Sequence, residues 1–124
     1  MQAPQTAVLV RIYTEEGKRN GHRPLYEAIV LKARELGLAG ATVLRGPMGF
    51  GHSHAIHTAK ILDLSAKLPL VIEIVDTQEK VQALLDALGD MRDLGLVTTE
   101  NVQVVHYGEG GGLMSTPPPL PPRG

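Results

Sequence analysis

Apolar residues follow two rhythms along this chain. From Val8 to Tyr13 they fall at every second position, Val8, Val10 and Ile12, among β-branched neighbours, which predicts a strand. Glu15 to Arg23 is polar and carries Gly17, Asn20 and Gly21, so it reads as a loop. Pro24 suits the first turn of a helix, and beyond it the period lengthens: Leu25, Ile29, Ala33 and Leu36 share one helical face, with Glu27, Lys32 and Glu35 off it and Gly37 as a stop. Ala41 to Gly46 predicts a second strand. Thr58 to Leu64 reads as the outer part of a third, in an extended hairpin whose inner part is the plainest strand of the chain, Leu70 to Val75. There Leu70, Ile72 and Ile74 oppose Val71, Glu73 and Val75, and Pro69 just ahead suits an edge or a bend. Asp76 and Glu79 are spaced as a capping box for a second helix on the stripe Val81, Leu84, Leu85 and Leu88, expected to end near Gly95. Val102 to Tyr107 reads as the last strand.

The order β-α-β-β-α-β, closed by right-handed crossovers, predicts an α+β fold: a ferredoxin-like sandwich with a four-stranded antiparallel sheet and both helices on one face. The other sheet face also carries Val, Ile or Leu from the first and third strands, and an uncovered face of that kind predicts self-assembly. The domain is expected over residues 8–108, after an N-terminal extension, residues 1–7. Residues 109–124 are Gly-rich and then Pro-rich, including Gly110-Gly111-Gly112 and Pro117-Pro118-Pro119, a composition that cannot bury apolar surface and predicts a disordered or polyproline II tail.

With 124 residues the chain fits one domain, and the absence of cysteine excludes disulfides, thiolate metal sites and a thiol nucleophile. Aromatic residues make up 3%, so the core must be built from Val, Ile, Leu and Ala, and few rings remain to stack on nucleobases of a single strand. A net charge of −1 argues against nucleic-acid binding, which needs clustered Lys and Arg. No apolar run reaches the length of a membrane span, and Met1-Gln2-Ala3-Pro4 does not open like a signal peptide, so a cytoplasmic location is expected. There is no Gly-x-Ser-x-Gly elbow and no phosphate-binding Gly-x-x-x-x-Gly-Lys-Ser/Thr, and nothing orients His57 and Thr58 as base and hydroxyl; no enzymatic activity is expected.

The chemistry-bearing residues gather after the second strand. Gly46, Gly49 and Gly51 permit positive φ and close backbone approach, and their amides suit an anion-binding nest. His52, His54 and His57 form His-x-His-x-x-His, a spacing that suits Zn, Ni or Cu, with threefold repetition completing the site. Arg45 and Lys60 flank this segment and read either as a clamp for a phosphate or carboxylate or as surface charges on strand ends. Glu73, in an apolar strand, must pair with something; a structural ion pair, with Arg11 as the nearest partner type, and a ligand contact both stay open.

Several blocks resemble the PII signalling proteins: Gly37-Leu38-Ala39-Gly40-Ala41-Thr42-Val43, Gly49-Phe50-Gly51 and Ile72-Glu73-Ile74-Val75. The pattern Pro24-Leu25-Tyr26-Glu27, Gly40 to Gly46, Met48-Gly49-Phe50-Gly51 and Ile56-His57-Thr58-Ala59-Lys60 resembles more closely the PII-like group called domain-of-unknown-function family 190, over roughly residues 8–107. The resemblance implies a homotrimer whose sheets line a central channel, with an adenine nucleotide between neighbouring subunits. It also implies a mobile T-loop that acts on a partner, such as a membrane transporter or ion channel. By position it places Thr42 at the adenine, Gly49, Phe50 and Gly51 at the T-loop base with His52 and Ser53 next, and Glu73 and Val75 near the nucleotide. The chain departs from PII proteins in Gly95 to Asn101, which has no lysine, and after the last strand, where Gly108 to Gly112 is neutral apart from Glu109. A nucleoside monophosphate or cyclic nucleotide needs fewer cations than ATP, and bicarbonate or a divalent metal stay open. The alternative reading is a metal-tolerance trimer of the same fold using the three histidines.

Overall fold

The structure, a computed structural model, describes residues 5–51, 54–58, 67–91 and 94–108. Its centre is a four-stranded antiparallel sheet of β1 (Gln5–Glu15), β4 (Thr42–Arg45), β7 (Pro69–Asp76) and β8 (Val97–Val104), in the spatial order β4-β7-β1-β8. The helices are α1 (Leu25–Glu35) and α2 (Gln78–Leu88). Two-residue strands β2 (Arg19–Asn20) and β3 (Arg23–Pro24) form a small hairpin before α1, and β5 (Met48–Gly49) pairs with β6 (His57–Thr58) beyond β4. This is the ferredoxin-like α+β arrangement expected from the residue pattern.

The two central strands set the core. Val10 lies opposite Ile74 and Ile12 opposite Ile72, so one sheet face presents four fully buried aliphatic side chains. Onto that face pack Leu25, Ile29 and Ala33 of α1 and Val81, Leu84 and Leu88 of α2. Burial of each large side chain contributes roughly 1.5–3 kcal/mol. Alternation then places Leu9, Arg11, Tyr13, Val71, Glu73 and Val75 on the face without helices.

Several boundaries differ from the sequence pattern, each for a physical reason. β1 begins at Gln5, so residues 5–7, expected in an extension ahead of the domain, pair with Val104, Gln103 and Val102. β8 runs over Val97–Val104, where Val102 to Tyr107 was expected. Its polar stretch Thr98 to Asn101 sits on an edge strand, which is held by the backbone ladder to β1 and can leave side chains in water. The expected loop before α1 contains the β2–β3 hairpin, with Gly21 at φ 65°, and the hairpin's Lys18 carbonyl accepts the Leu25 amide that opens α1. Pro24 is the N-cap of α1, and Gly37, at φ 78°, ends the helix as expected.

The cap of α2 is Thr77, whose side chain accepts from the Lys80 amide at 3.3 Å; the expected Asp76–Glu79 capping box does not form, because Asp76 is buried and bonded elsewhere. The helix ends at Leu88, capped by Gly89, ahead of the expected Gly95. Gly95 instead lets the chain pass close to β1. The Tyr13 amide donates to the Leu96 carbonyl at 2.8 Å, and a Cβ on Gly95 would run into the Tyr13 carbonyl oxygen. Of the expected outer hairpin strand Thr58 to Leu64 only Thr58, in β6, is described, and the tail, residues 109–124, lies outside the described residues. No helix among the described residues is long and apolar enough to cross a membrane.

Candidate functional site

At one end of the helix-free face lies an open cleft of about 360 Å³. Its floor is sheet: Leu9 of β1, Glu73 and Val75 of β7, and Thr42 of β4. One wall is Ala39-Gly40-Ala41, the segment that brings the chain from α1 into β4; the other is Val104, His106 and Tyr107 at and beyond the end of β8. Antiparallel register brings these together. Thr42 lies opposite Glu73, Leu9 opposite Val75 and Gln5 opposite Val104, so the start of β4, the end of β7, the start of β1 and the end of β8 meet at one end of the sheet.

Asp76 fixes the first wall. Its carboxylate, 4% exposed, accepts from the Ala39 amide at 2.7 Å and from the Thr77 amide at 2.6 Å. A buried carboxylate is retained where it is hydrogen-bonded. This one ties the α1–β4 connection to the β7–α2 junction. From the other side the Tyr107 hydroxyl donates to the Ala39 carbonyl at 3.0 Å. Ala39 is thus held through both of its backbone polar groups.

Glu73 is partnered within the chain. Arg11 Nε donates to Glu73 Oε2 at 2.9 Å, and Arg11 Nη1 to Glu100 Oε1 at 2.7 Å, so one guanidinium bridges two carboxylates on the open face. The bond to Glu73 first, and then that to Glu100, raise the Arg11 pKa above its ordinary value. Both pairs are partly open to water, where ion pairs add little stability, so their main effect is to fix the Glu73 carboxylate, and one guanidinium against two carboxylates leaves the cluster net negative beside the cleft.

The structure divides the site residues named from sequence into two groups. Thr42, Glu73 and Val75 line the cleft. Arg45, Gly46, Gly49, Phe50 and Gly51 lie at and beyond the far end of β4. Arg45 has the parity of Val43, which packs on the helix side, and its guanidinium meets Glu16 at 3.3 Å; Glu16 also accepts the Leu68 amide. Three residue steps, roughly 10 Å, separate it from Thr42, and Lys60, the other half of the expected clamp, lies outside the described residues. Gly46 and Gly49 serve close approach and do not take positive φ. A Cβ on either would come within 3.2 and 3.1 Å of the Pro69 ring, whereas Gly51 has open space around it. Phe50 is exposed, its ring 5.7 Å from that of His54, which takes φ 62°.

His52, Ser53 and Lys60 lie outside the described residues, and of His57 only the backbone is described. Among the described residues no group of three or more His, Asp or Glu gathers as a metal site. The cleft residues not named from sequence are Leu9, Ala39, Gly40, Ala41, Val104, His106 and Tyr107. Ala39 to Ala41 stand beside Thr42 in the block that carries the PII resemblance, which is the signal that could have found them. Tyr107 is hidden by its apparent place inside the last strand, whereas it lies three residues past the end of β8.

Comparison with known proteins shows the family and the fold of the chain. Residues 7–104 match the model of the family DUF190, described as an uncharacterized ACR. A UPF0166 protein of Aquifex aeolicus (strain VF5) is 37% identical over 98 residues, 79% of this chain and 92% of that one. A protein of Thermus thermophilus, described as PII-like signalling, superposes with a TM-score of 0.60 at 19% identity, over 85% of this chain and 94% of its own. CPII of Thiomonas intermedia K12, a nitrogen regulatory PII-like protein whose structure is described as bound to ADP, AMP and bicarbonate, does so with a TM-score of 0.60 at 18% identity, over 82% of this chain and 91% of its own. The chain therefore belongs to the DUF190 family, and its fold is that of the PII-like proteins.

Proposed function

We propose that this chain is a non-enzymatic PII-like regulator, a homotrimer that takes an adenine nucleotide in the cleft at Thr42 and acts on a partner such as a membrane transporter or ion channel. The observation that carries the reading is the cleft itself. It gathers Thr42, Glu73 and Val75, the three residues that the family resemblance sets beside the nucleotide, with Leu9 and Val75 as apolar floor for a base and only small residues along one wall. CPII, described with ADP, AMP and bicarbonate, has the same fold. The open sheet face supports assembly: Tyr13 and Leu44 are exposed there beside Leu9, Val71 and Val75, which in a trimer would meet a neighbouring copy.

The chemistry of the cleft narrows the ligand. No Lys or Arg stands among the described residues that line it, and Arg11 is engaged by two carboxylates. A monophosphate or cyclic nucleotide therefore suits it better than a triphosphate.

Thermal unfolding with AMP, cyclic AMP, ADP, ATP and bicarbonate tests this. Ligand at a hundred times its Kd adds about 2.7 kcal/mol, which for a domain of this size raises Tm by roughly 10 °C or more. AMP or cyclic AMP should give the largest shift, and Thr42→Tyr, which fills the cleft from an exposed position, should remove it. No response to any nucleotide, or an undiminished response in Thr42→Tyr, would overturn the nucleotide reading. A solution mass of one subunit at micromolar concentration would overturn the trimer.

A further inference from the structure

The chain has two asparagines, and their surroundings differ. Asn101 lies inside the β8 ladder opposite Val8 and precedes Val102, whose branched side chain shields the backbone nitrogen between them. Asn20 precedes Gly21 at the tip of the β2–β3 hairpin. It pairs with Arg23, so Gly21 and His22 form a two-residue loop in which Gly21, at φ 65°, takes the left-handed position. Nothing stands within 4 Å of a Cβ built on Gly21, and residues 19–23 are all exposed. The hairpin has two residue pairs, and Pro24, in one of them, has no amide to donate. Besides this ladder the Arg19 guanidinium donates to the His22 carbonyl, and Arg23 reaches Glu27 at 3.7 Å. A two-stranded ribbon is marginal on its own, and with no apolar side chain buried at its tip this one opens more readily than the main sheet. Lys18, Arg19 and Arg23 flank the tip, and no acidic residue occurs from 18 to 23.

We propose that Asn20 is a site of self-modification, where the side-chain amide converts to aspartate and isoaspartate through a cyclic imide, with water as the co-reactant. The Gly21 nitrogen attacks Asn20 Cγ. The new N–Cγ bond closes the imide ring, the Gly21 amide proton passes to solvent, and the Cγ–Nδ2 bond breaks with release of ammonia. Water then opens the ring. Addition at the Cγ carbonyl gives aspartate, and addition at the main-chain carbonyl of residue 20 gives isoaspartate. Glycine puts no Cβ beside the attacking nitrogen, and Arg19 and Arg23, next to and opposite Asn20, favour its anionic form. Attack requires residue 20 to leave its extended strand conformation, so the reaction proceeds from the open hairpin. Each conversion sets a carboxylate between Arg19 and Arg23 and lowers the positive charge of the hairpin. Isoaspartate also adds a carbon to the main chain, which the two-residue turn cannot hold in register. The hairpin supplies the Lys18 carbonyl that opens α1, so the change reaches the entry to the helix. It accumulates with the age of the chain, whatever occupies the cleft.

Ageing the full chain at neutral pH and body temperature, with intact mass followed by peptide mapping, tests this. The chain should gain the mass of an amide turned to an acid, located at residue 20, at a rate that rises with hydroxide concentration. Part of the product should resist a protease that cuts ahead of aspartate, the mark of isoaspartate. Conversion at Asn20 should outpace that at Asn101 by at least about tenfold, a barrier difference of about 1.4 kcal/mol. Asn20→Gln, whose longer side chain must close a larger ring, should show no gain at residue 20 over the same time. The chain unfolded in urea supplies the reference for an open hairpin. Conversion in urea with none in the folded chain would show that the hairpin stays shut, and would overturn the proposal. No conversion in either state, equal rates at the two asparagines of the folded chain, or a product free of isoaspartate would overturn it as well.

Discussion

Asp76 is the residue whose removal should disturb the cleft most while leaving its floor untouched. The carboxylate is 4% exposed and accepts two backbone amides, Ala39 at 2.7 Å and Thr77 at 2.6 Å. Asp76→Ala deletes both acceptors. A buried donor left without a partner costs about 1–3 kcal/mol; Ala39 and Thr77 are themselves half-buried, so water can reach part of the gap, and the two together should cost about 2–4 kcal/mol. Against a total stability of roughly 5–15 kcal/mol for a domain of this kind, that is a large fraction. Each kcal/mol moves Tm by about 4–8 °C for a folded domain of about 100 residues, so a drop of roughly 8–32 °C is expected. Asp76→Asn keeps one acceptor oxygen and turns an NH₂ group toward the other amide, so its loss should be of similar size even though its volume is nearly native. Urea unfolding measures both, and an unchanged m value shows that the unfolded reference is the same. Losses below about 1 kcal/mol in both variants would refute the claim that this carboxylate holds the Ala39 wall. A large loss in Asp76→Ala with none in Asp76→Asn would show that packing, and not hydrogen bonding, matters there.

Three further sets of substitutions test the rest of the framework. Gly95→Ala should cost about 2–4 kcal/mol, since its Cβ would strike the Tyr13 carbonyl and the Tyr13–Leu96 hydrogen bond would have to break; urea midpoints measure it, and a near-neutral result would place β8 wrongly against β1. Gly49→Ala should lose about 1 kcal/mol through its contact with the Pro69 ring, while Gly51→Ala stays within about 0.5 kcal/mol of wild type, and the reverse order would return the glycine-rich segment to a ligand-only role. Arg11→Met leaves Glu73 and Glu100 facing each other across the open face, so it should destabilise the domain more at low than at high salt; combining it with Glu73→Leu should recover most of the loss, and simple additivity of the two losses would refute the bridge.

How much of this was legible in the residue order depends on the range of the interaction. The two helices and the central strand β7 announce themselves through local periodicity, because each buries one face against the same core: Leu25, Ile29 and Ala33 in α1, Val81, Leu84 and Leu88 in α2, Leu70, Ile72 and Ile74 in β7. β8 does not, because an edge strand is defined by its ladder to β1, and Thr98 to Asn101 carry no apolar rhythm. The site follows the same division. Thr42, Glu73 and Val75 could be named only through the family resemblance; parity within β7 and the pairing of Thr42 with Glu73 then explain why they meet on the helix-free face. Alternation along β4 sends Arg45, three positions on from Thr42, to the other face, an outcome the spacing alone implies once both lie in one strand.

What completes the cleft is longer in range still. Asp76 to Ala39 spans 37 positions and Tyr107 to Ala39 spans 68, and neither bond has a local signal. Their common point explains why the proposed ligand site sits at this end of the sheet. The far end of β4 is closed by bonds among Glu16, Arg45, Leu68 and Pro69, which consume the charge of Arg45 and fill the space beside Gly46 and Gly49 with the proline ring. At the near end Ala39, Gly40 and Ala41 offer only small side chains, so the sheet floor stays open and the backbone comes within reach of an occupant. A residue with a long side chain at Gly40, where nothing stands within 4 Å of a Cβ, would be tolerated by the fold and would still crowd the cleft, which separates the demands of folding from those of binding at a single position.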